Sequence, residues 1–241
     1  MPDPVAQEVF AHARVLDAWD ETQSLRALRL DVGELAHSHR TPGQVVKLRT
    51  AAGEGYFAIA SAPGSPGEQA GQLELLLKRG APVADAAIAA AQPGSTVESS
   101  APFGKGFPVA EAHGRDLFLF AVGSGITPIR ALVQGVLRER ASYGRAALFY
   151  GQRADEDFAF RKEHSAWEAG GVQVVLCASR ASDAWQGQRG YVQDVAHSLA
   201  WLELDLSRAV AFLCGTKAMV TGVRDLLGKA GVTADRTYLN F

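Results

Sequence analysis

Only two cysteines, Cys177 and Cys214, occur in the 241 residues of this chain. They lie far apart without metal-ligand spacing, and a zinc site or iron–sulfur cluster needs about four suitable ligands, so a cysteine-ligated centre built from this chain alone is excluded. Histidine does not fill the gap. His12, His37, His39, His113, His164 and His197 share no ligand-like spacing and are assigned no chemistry, so no metal is expected. An excess of charge of either sign is also lacking, the formal net charge being -2. No Lys/Arg stripe with interleaved aromatics appears, which removes nucleic acid from the expected partners. No apolar run approaches the ~18 residues of a membrane-spanning helix, and residues 1–10 lack the basic head and apolar stretch of a signal peptide. The expectation is a cytoplasmic protein with no membrane span.

A hydrophobic content of 47% with 21% charged residues supplies a sizeable core, and the length suits two domains. From residue 5 to about 107 the chain reads as short alternating or β-branched runs separated by turns. Strands are expected at 6–18, 25–32, 45–50, 56–61, 73–78 and 96–100, punctuated by Pro42-Gly43, Pro63-Gly64-Ser65-Pro66-Gly67 and Pro93-Gly94, with one short helix at 83–91. These runs suit an antiparallel β-barrel. After His113-Gly114 the grammar becomes apolar strand then helix, with strands at 117–122, 146–150, 172–177 and 210–214 and helices at 129–140, 155–168, 191–201 and 217–229. That alternation predicts an α/β Rossmann-like domain with a parallel sheet, and division of the chain into domains 1–112 and 113–241.

Gly123-Ser124-Gly125-Ile126-Thr127-Pro128 joins the strand at 117–122 to the helix after it. A strand that turns on glycines into a helix aims unpaired backbone N–H groups and the positive end of the helix dipole at one point, where a pyrophosphate fits. Pro128 suits the first helical turn. Ile129, Leu132, Val133, Val136 and Leu137 form one apolar face, leaving Arg130, Arg138, Glu139 and Arg140 on the others. Ligands of an open parallel sheet collect at the carboxyl ends of its strands. Three further motifs fall there: Gly151-Gln152-Arg153, Ser179-Arg180 and Cys214-Gly215-Thr216.

Together with Pro42-Gly43-Gln44, residues 101–107 (APFGKGF), residues 149–153 (FYGQR), residues 190–194 (GYVQD) and residues 214–219 (CGTKAM), these motifs resemble the ferredoxin-NADP reductase superfamily over nearly the whole chain. The resemblance implies a flavin-binding barrel before a nicotinamide-nucleotide domain, hydride transfer from NAD(P)H to FAD, and delivery of electrons to a partner protein. It places Cys214 beside the nicotinamide and the aromatic Phe241 against the flavin as the catalytic pair. On the barrel it assigns flavin contacts to Phe57, Ala58, Ile59, Ser61, Lys78 and Gly80. On the second domain it assigns nucleotide contacts to Gly123, Ser124, Gly125, Ile126, Thr127, Pro128, Gly151, Arg153, Ser179, Arg180, Arg189, Tyr191, Gln193, Gly215, Thr216 and Met219. Ser179, Arg180 and Arg189 resemble contacts to a 2′-phosphate, which favours NADP over NAD. The family's flavin motif R-x-Y-S is here Gly55-Tyr56-Phe57-Ala58, without the charge that binds the pyrophosphate and without the hydroxyl. Gly80-Ala81-Pro82 likewise lacks the hydroxyl of the second phosphate motif, and Lys78, Arg79 or Lys105 would have to supply charge instead. The alternative reading is therefore a reductase-like nucleotide-binding or interaction module that has lost tight flavin binding.

Overall fold

Strands β1 (Phe10–Asp20), β2 (Leu25–Asp31), β3 (Val45–Thr50), β4 (Gly53–Ala58), β5 (Gln72–Lys78) and β6 (Thr96–Ser100) form one antiparallel sheet in the order β4-β3-β6-β1-β2-β5. The computed structural model describes residues 10–198 and 205–240. The sheet curls until its two edges meet: just past β4, Ile59 bridges to Leu75 of β5, and the Ala60 N–H donates to the Glu74 carbonyl at 2.7 Å. Two-residue alternation sorts the side chains of this barrel. Leu28, Leu30, Leu73, Leu75 and Leu77 point into its core, whereas Leu25, Ala27 and Leu76 face outward and join the core of the second half. A short turn α1 (Pro66–Gln69) follows β4, and α2 (Pro82–Ala90) packs Ala87 on the barrel core.

The second sheet is wholly parallel, in the order β10-β9-β8-β7-β11-β12: β7 (Leu117–Val122), β8 (Ala146–Gln152), β9 (Val172–Ala178), β10 (Gln188–Arg189), β11 (Val210–Cys214) and β12 (Thr237–Leu239). Helices α3 (Ile126–Arg138), α4 (Arg161–Ala169), α5 (Val192–Ser198) and α6 (Lys217–Lys229) cover it. Strands buried on both faces carry continuous apolar runs. In β7 Leu117, Leu119 and Ala121 share a cluster with Ile129, Leu132 and Val133 of α3, while Phe118 and Phe120 share one with Val195 of α5 and Val220 and Val223 of α6. The chain runs outward from β7 to β10, then returns to lay β11 on the other side of β7. The carboxyl ends of β7 and β11 thus flank the topological switch point, where an open sheet leaves a crevice.

The strands expected at 45–50, 96–100, 117–122 and 210–214 and the helix at 217–229 have the bounds read from the sequence. Residues 6–9 and 199–201, which the expected first strand and third helix of the second half include, lie outside the described residues. The helix expected over 155–168 is a correction: a 3-10 turn, Asp155–Asp157, comes first, and α4 starts only at Arg161. Phe160 breaks the run at φ 58, the one non-glycine residue with positive φ among the described residues. A side chain in that region costs about 1–2 kcal/mol, and contacts with the barrel hold it there. Strands β10 and β12 were not anticipated, being too short to carry a hydrophobic period.

Those contacts centre on Arg130, a second correction. The helical period puts it on an outer face of α3, yet it is 7% exposed. Its Nε and Nη2 donate to the Glu163 carboxylate of α4 at 2.9 and 2.6 Å, and its Nη1 donates to Glu74 Oε2 of β5 at 2.7 Å and to the Ala60 carbonyl at 3.0 Å. The guanidinium lies 4.4 Å from the centroid of the Phe160 ring. Glu21 of the barrel closes the joint by accepting the Phe160 N–H at 2.7 Å and the Trp19 indole N–H at 2.6 Å. Removing one partner of a buried ion pair leaves charge without compensation. Arg130→Ala should lower the unfolding free energy by about 3 kcal/mol in urea titrations, the low end of the usual range because Glu74 keeps Arg29 and Glu163 is partly exposed.

His39, 2% exposed, makes no well-formed hydrogen bond with either ring nitrogen among the described residues. Burial pushes its imidazole from 6.5 down to about 4, with only a partial offset from the Thr41 backbone. The unfolded chain therefore takes up this proton first as pH falls. The stability that neutral His39 contributes is complete above pH 6.5 and is lost as pH drops toward 4. Chemical denaturation from pH 7 to 4 should show this slope, and His39→Gln should flatten it.

Candidate active site

A crevice of about 590 Å³ opens at the switch point, between the two halves. Its floor is the turn after β7 with Val122, Gly123, Ser124, Gly125, Thr127 and Pro128, beside Cys214, Gly215 and Thr216 after β11. Its barrel wall is Tyr56, Phe57, Ala58, Leu76, Lys78, Ala81 and Ala84. A second groove of about 390 Å³ continues along the sheet, sharing Val122, Gln152, Arg153 and Thr216 with the first. It adds Gly151, Cys177, Ser179, Arg180, Gly190, Tyr191, Val192, Gln193, Ala218 and Met219. At opposite ends stand two conspicuously exposed aromatics, Tyr56 at 67% and Tyr191 at 62%.

Glycine has a different reason at each place in the floor. Gly123 sits at φ 62 with open space around a built Cβ, so its backbone conformation is what demands glycine. At Gly125 a Cβ would run into the carbonyl group of Cys214, so the missing side chain lets the β7–α3 turn and the β11–α6 turn touch, backbone to backbone. Gly123, Ser124 and Gly125 form a 3-10 turn that continues directly into α3 and whose Gly123 and Ser124 carbonyls accept the Ile126 N–H, so the positive end of α3 is capped by this turn. Thr127 Oγ1 donates to the Ser124 carbonyl at 2.7 Å, and Thr216 Oγ1 caps α6 by accepting the Met219 N–H at 3.3 Å.

Cys214 borders the crevice half-buried. Burial pushes its thiol up to about 11, and a hydrogen bond from the Asn240 side chain offsets part of that rise. Asn240 in turn fills the space above Gly43, whose Cβ would come within 2.7 Å of the Asn240 Oδ1. Cys177, fully buried, is pushed up to about 12. Both thiols are neutral at neutral pH, which gives Cys214 the character of a compact polarizable wall and not of a nucleophile.

Several expected site residues stand elsewhere. Ile59 is buried in the barrel core, and the Ser61 hydroxyl accepts the Glu74 N–H at 3.1 Å beside Arg130, away from the crevice. Ile126 is core. Gly80, at φ 100, donates its N–H to Asp85 Oδ1 at 2.9 Å. Arg189 donates to the Ala181 and Ser182 carbonyls at 3.2 and 2.7 Å, pinning its own loop, so Arg180 and Arg153 are the arginines left lining the groove. Phe57 borders the crevice, but its ring leans over Gly55 and packs on the barrel core, which leaves Tyr56 as the exposed aromatic. Phe241 lies outside the described residues. Sequence reasoning missed Gln152, common to both cavities, and Asn240. Neither belongs to a hydrophobic period, though Gln152 stands in a motif already singled out. Among the described residues no group of His, Cys, Asp and Glu is placed to hold a metal ion, and no helix is long and apolar enough to cross a membrane.

An antiparallel barrel joined to a parallel sheet, with a grooved switch point between them, is the architecture of ferredoxin-NADP reductase-like structures. The family model described as "Oxidoreductase NAD-binding domain" matches residues 119–225. Over 225 residues the chain is 28% identical to "Sulfhydrogenase 1 subunit gamma" of Pyrococcus furiosus, covering 91% of this chain and 74% of that protein. Over 155 residues it is 32% identical to "Ferredoxin--NADP reductase B" of Sorangium cellulosum, covering 61% of this chain and 62% of that one, so this match spans about three fifths of each. The structure of a ferredoxin NADP+ reductase from Neisseria gonorrhoeae with bound FAD and NADP superposes with a TM-score of 0.79 at 19% identity, over 96% of this chain and 99% of that one, a likeness of fold. Residues 119–225 thus match the oxidoreductase NAD-binding family, and over most of its length the chain is similar to ferredoxin-NADP reductase-like proteins.

The fold family implies FAD, and its two ends fit this crevice differently. The ring end meets a flat, mostly apolar wall of Tyr56, Ala58 and Leu76. The pyrophosphate end finds a single side-chain charge, the exposed Lys78 ammonium. Gly55 carries no side chain to meet it, and a Cβ built there would lie 3.0 Å from Val83 Cγ1 and 3.2 Å from the Phe57 ring. Arg79 is held by Asp20 at 2.9 Å, Lys105 does not line the crevice, and the Gly80 N–H is taken by Asp85. FAD anchored through its pyrophosphate does not fit the barrel half.

Two outcomes follow from this geometry. Gly125→Ala should force the two turns apart and lower stability by about 1–3 kcal/mol, read in thermal or urea unfolding, with faster alkylation of Cys214. The pH profile of Cys214 alkylation should rise toward an inflection near 11, and Asn240→Ala, by removing the bond that favours the thiolate, should move it to higher pH.

Proposed function

We propose that this chain is an NAD(P)H-dependent oxidoreductase of the flavin-reducing type. Residues 113–241 act as the nucleotide domain and residues 1–112 as the flavin-facing barrel. The observation that carries this reading is the continuity of the two cavities from Tyr191 past the Gly123–Thr127 turn to Cys214 and Tyr56. In it the adenine end of the dinucleotide lies against Tyr191, and the pyrophosphate lies on the Gly123–Gly125 turn at the positive end of α3 with Arg153 nearby. The nicotinamide reaches the small opening left by Gly215 and Cys214. Fixing a hydride donor there opposite a ring on the barrel wall is what a protein contributes to such a reaction, through orientation and exclusion of water. Electrons then pass to an acceptor beyond this chain, a protein partner in our reading.

Arg180, exposed beside Ser179, supplies positive charge where a 2′-phosphate would emerge, so NADPH is the favoured donor. Calorimetry should detect binding of a pyridine dinucleotide, and absence of heat with both NADPH and NADH would remove this reading. A charge-assisted contact contributes about 1.5–3 kcal/mol. Arg180→Ala should therefore weaken NADPH binding by about tenfold while leaving NADH within about twofold, and Arg189→Ala should change neither ratio.

A second reading, a nucleotide-binding module without redox turnover, is favoured by Gly55, which carries no side chain to meet a flavin pyrophosphate. Oxidation of NAD(P)H on addition of flavin separates the two. Turnover supports the reductase, and binding of the dinucleotide without turnover supports the module.

A further inference from the structure

Positive charge in the crevice is one-sided. On the nucleotide half Arg153 and Arg180 are exposed, line the grooves and make no ion pair among the described residues. On the barrel half Lys78 is the single charged side chain of the wall. Its neighbour Arg79 is spent on Asp20 and the Gln23 carbonyl. Helix α2, the other source of positive potential, opens with Ala81 and Pro82, which offer no capping hydroxyl and one N–H fewer. The Asp85 carboxylate in its first turn already takes the Gly80 N–H. An anion arriving there meets the Asp85 carboxylate, alanine methyl groups and the exposed Lys78 ammonium. The rest of the wall is exposed Tyr56 beside Ala58 and Leu76, a surface for a flat uncharged ring.

We propose that the barrel side recognises its substrate through an uncharged planar ring and draws almost nothing from phosphate groups, so that riboflavin, FMN and FAD are alike to it and exchange freely. The proposal rests on the flavin-reducing reading above and names its substrate class. The flavin is then a second substrate and not a resident group. The C4–H bond of NAD(P)H breaks, its hydride forms the N5–H bond of the oxidised flavin, N1 takes a proton from water, and NAD(P)+ and dihydroflavin leave. The released dihydroflavin carries the electron pair to the acceptor.

The test is titration of the full chain with riboflavin, FMN and FAD, followed by quenching of flavin fluorescence, alongside NAD(P)H oxidation with each. An exposed ion pair to Lys78 changes affinity by no more than about fivefold. The three dissociation constants should therefore lie within about tenfold of one another, each flavin should support turnover, and Lys78→Ala should bring the FMN and FAD constants to that of riboflavin on the same variant. FAD binding more than about tenfold tighter than riboflavin, or purified protein holding stoichiometric FAD, would overturn the proposal while the reductase reading stands. If none of the three binds although calorimetry registers NAD(P)H, the flavin part of that reading falls with it.

Discussion

One buried guanidinium holds the two halves of this molecule in register. Arg130 satisfies its donors on Glu163 of its own half and on Glu74 and the Ala60 carbonyl of the barrel, with the Phe160 ring beneath it. A charge taken out of water must be met by several acceptors at fixed positions, so this cluster tolerates little sliding between the sheets. The outward-facing Leu25, Ala27 and Leu76 of the barrel bury themselves in the same joint, adding apolar area to directional bonds. The crevice lies between the two halves that this joint holds together.

Strand order decides where that crevice lies. Because β11 returns to the opposite side of β7, the turns after both strands open onto one crevice. Gly125 brings those turns together, and the floor they make combines the positive end of α3 with a neutral thiol. The floor suits a phosphate at one end and a nicotinamide-sized ring at the other. The wall opposite is apolar apart from Lys78. The two substrates in our reading are thus sorted by charge: the dinucleotide by its phosphates on one half, the acceptor by its ring on the other.

Much of this was legible in the residues themselves. The run Leu117-Phe118-Leu119-Phe120-Ala121 announces a strand buried on both faces, and Met219, Val220, Val223 and Leu227 announce a helix, because burial imposes a period that a sequence displays directly. The floor motifs were legible for the same reason, since a sharp turn needs glycine. Residues acting over long sequence distances were not. Arg130 looks solvent-facing by its period because its partners lie 33 and 56 positions away. Ser61 and Arg189 sit in motifs that suggest a ligand, yet their side chains satisfy the protein's own backbone.

The barrel, the parallel sheet and the glycine turns follow from the residues alone, through local steric freedom and hydrophobic periods of two and 3.6 residues. Which cations remain free to meet a ligand depends on how the folded elements pack. Arg79, Arg130 and Arg189 are consumed by internal acceptors while Lys78, Arg153 and Arg180 stay open to the crevice. The reason is that a charge's availability depends on what lies within a few ångströms of it in space, and the identity of those neighbours is set by how the two sheets pack.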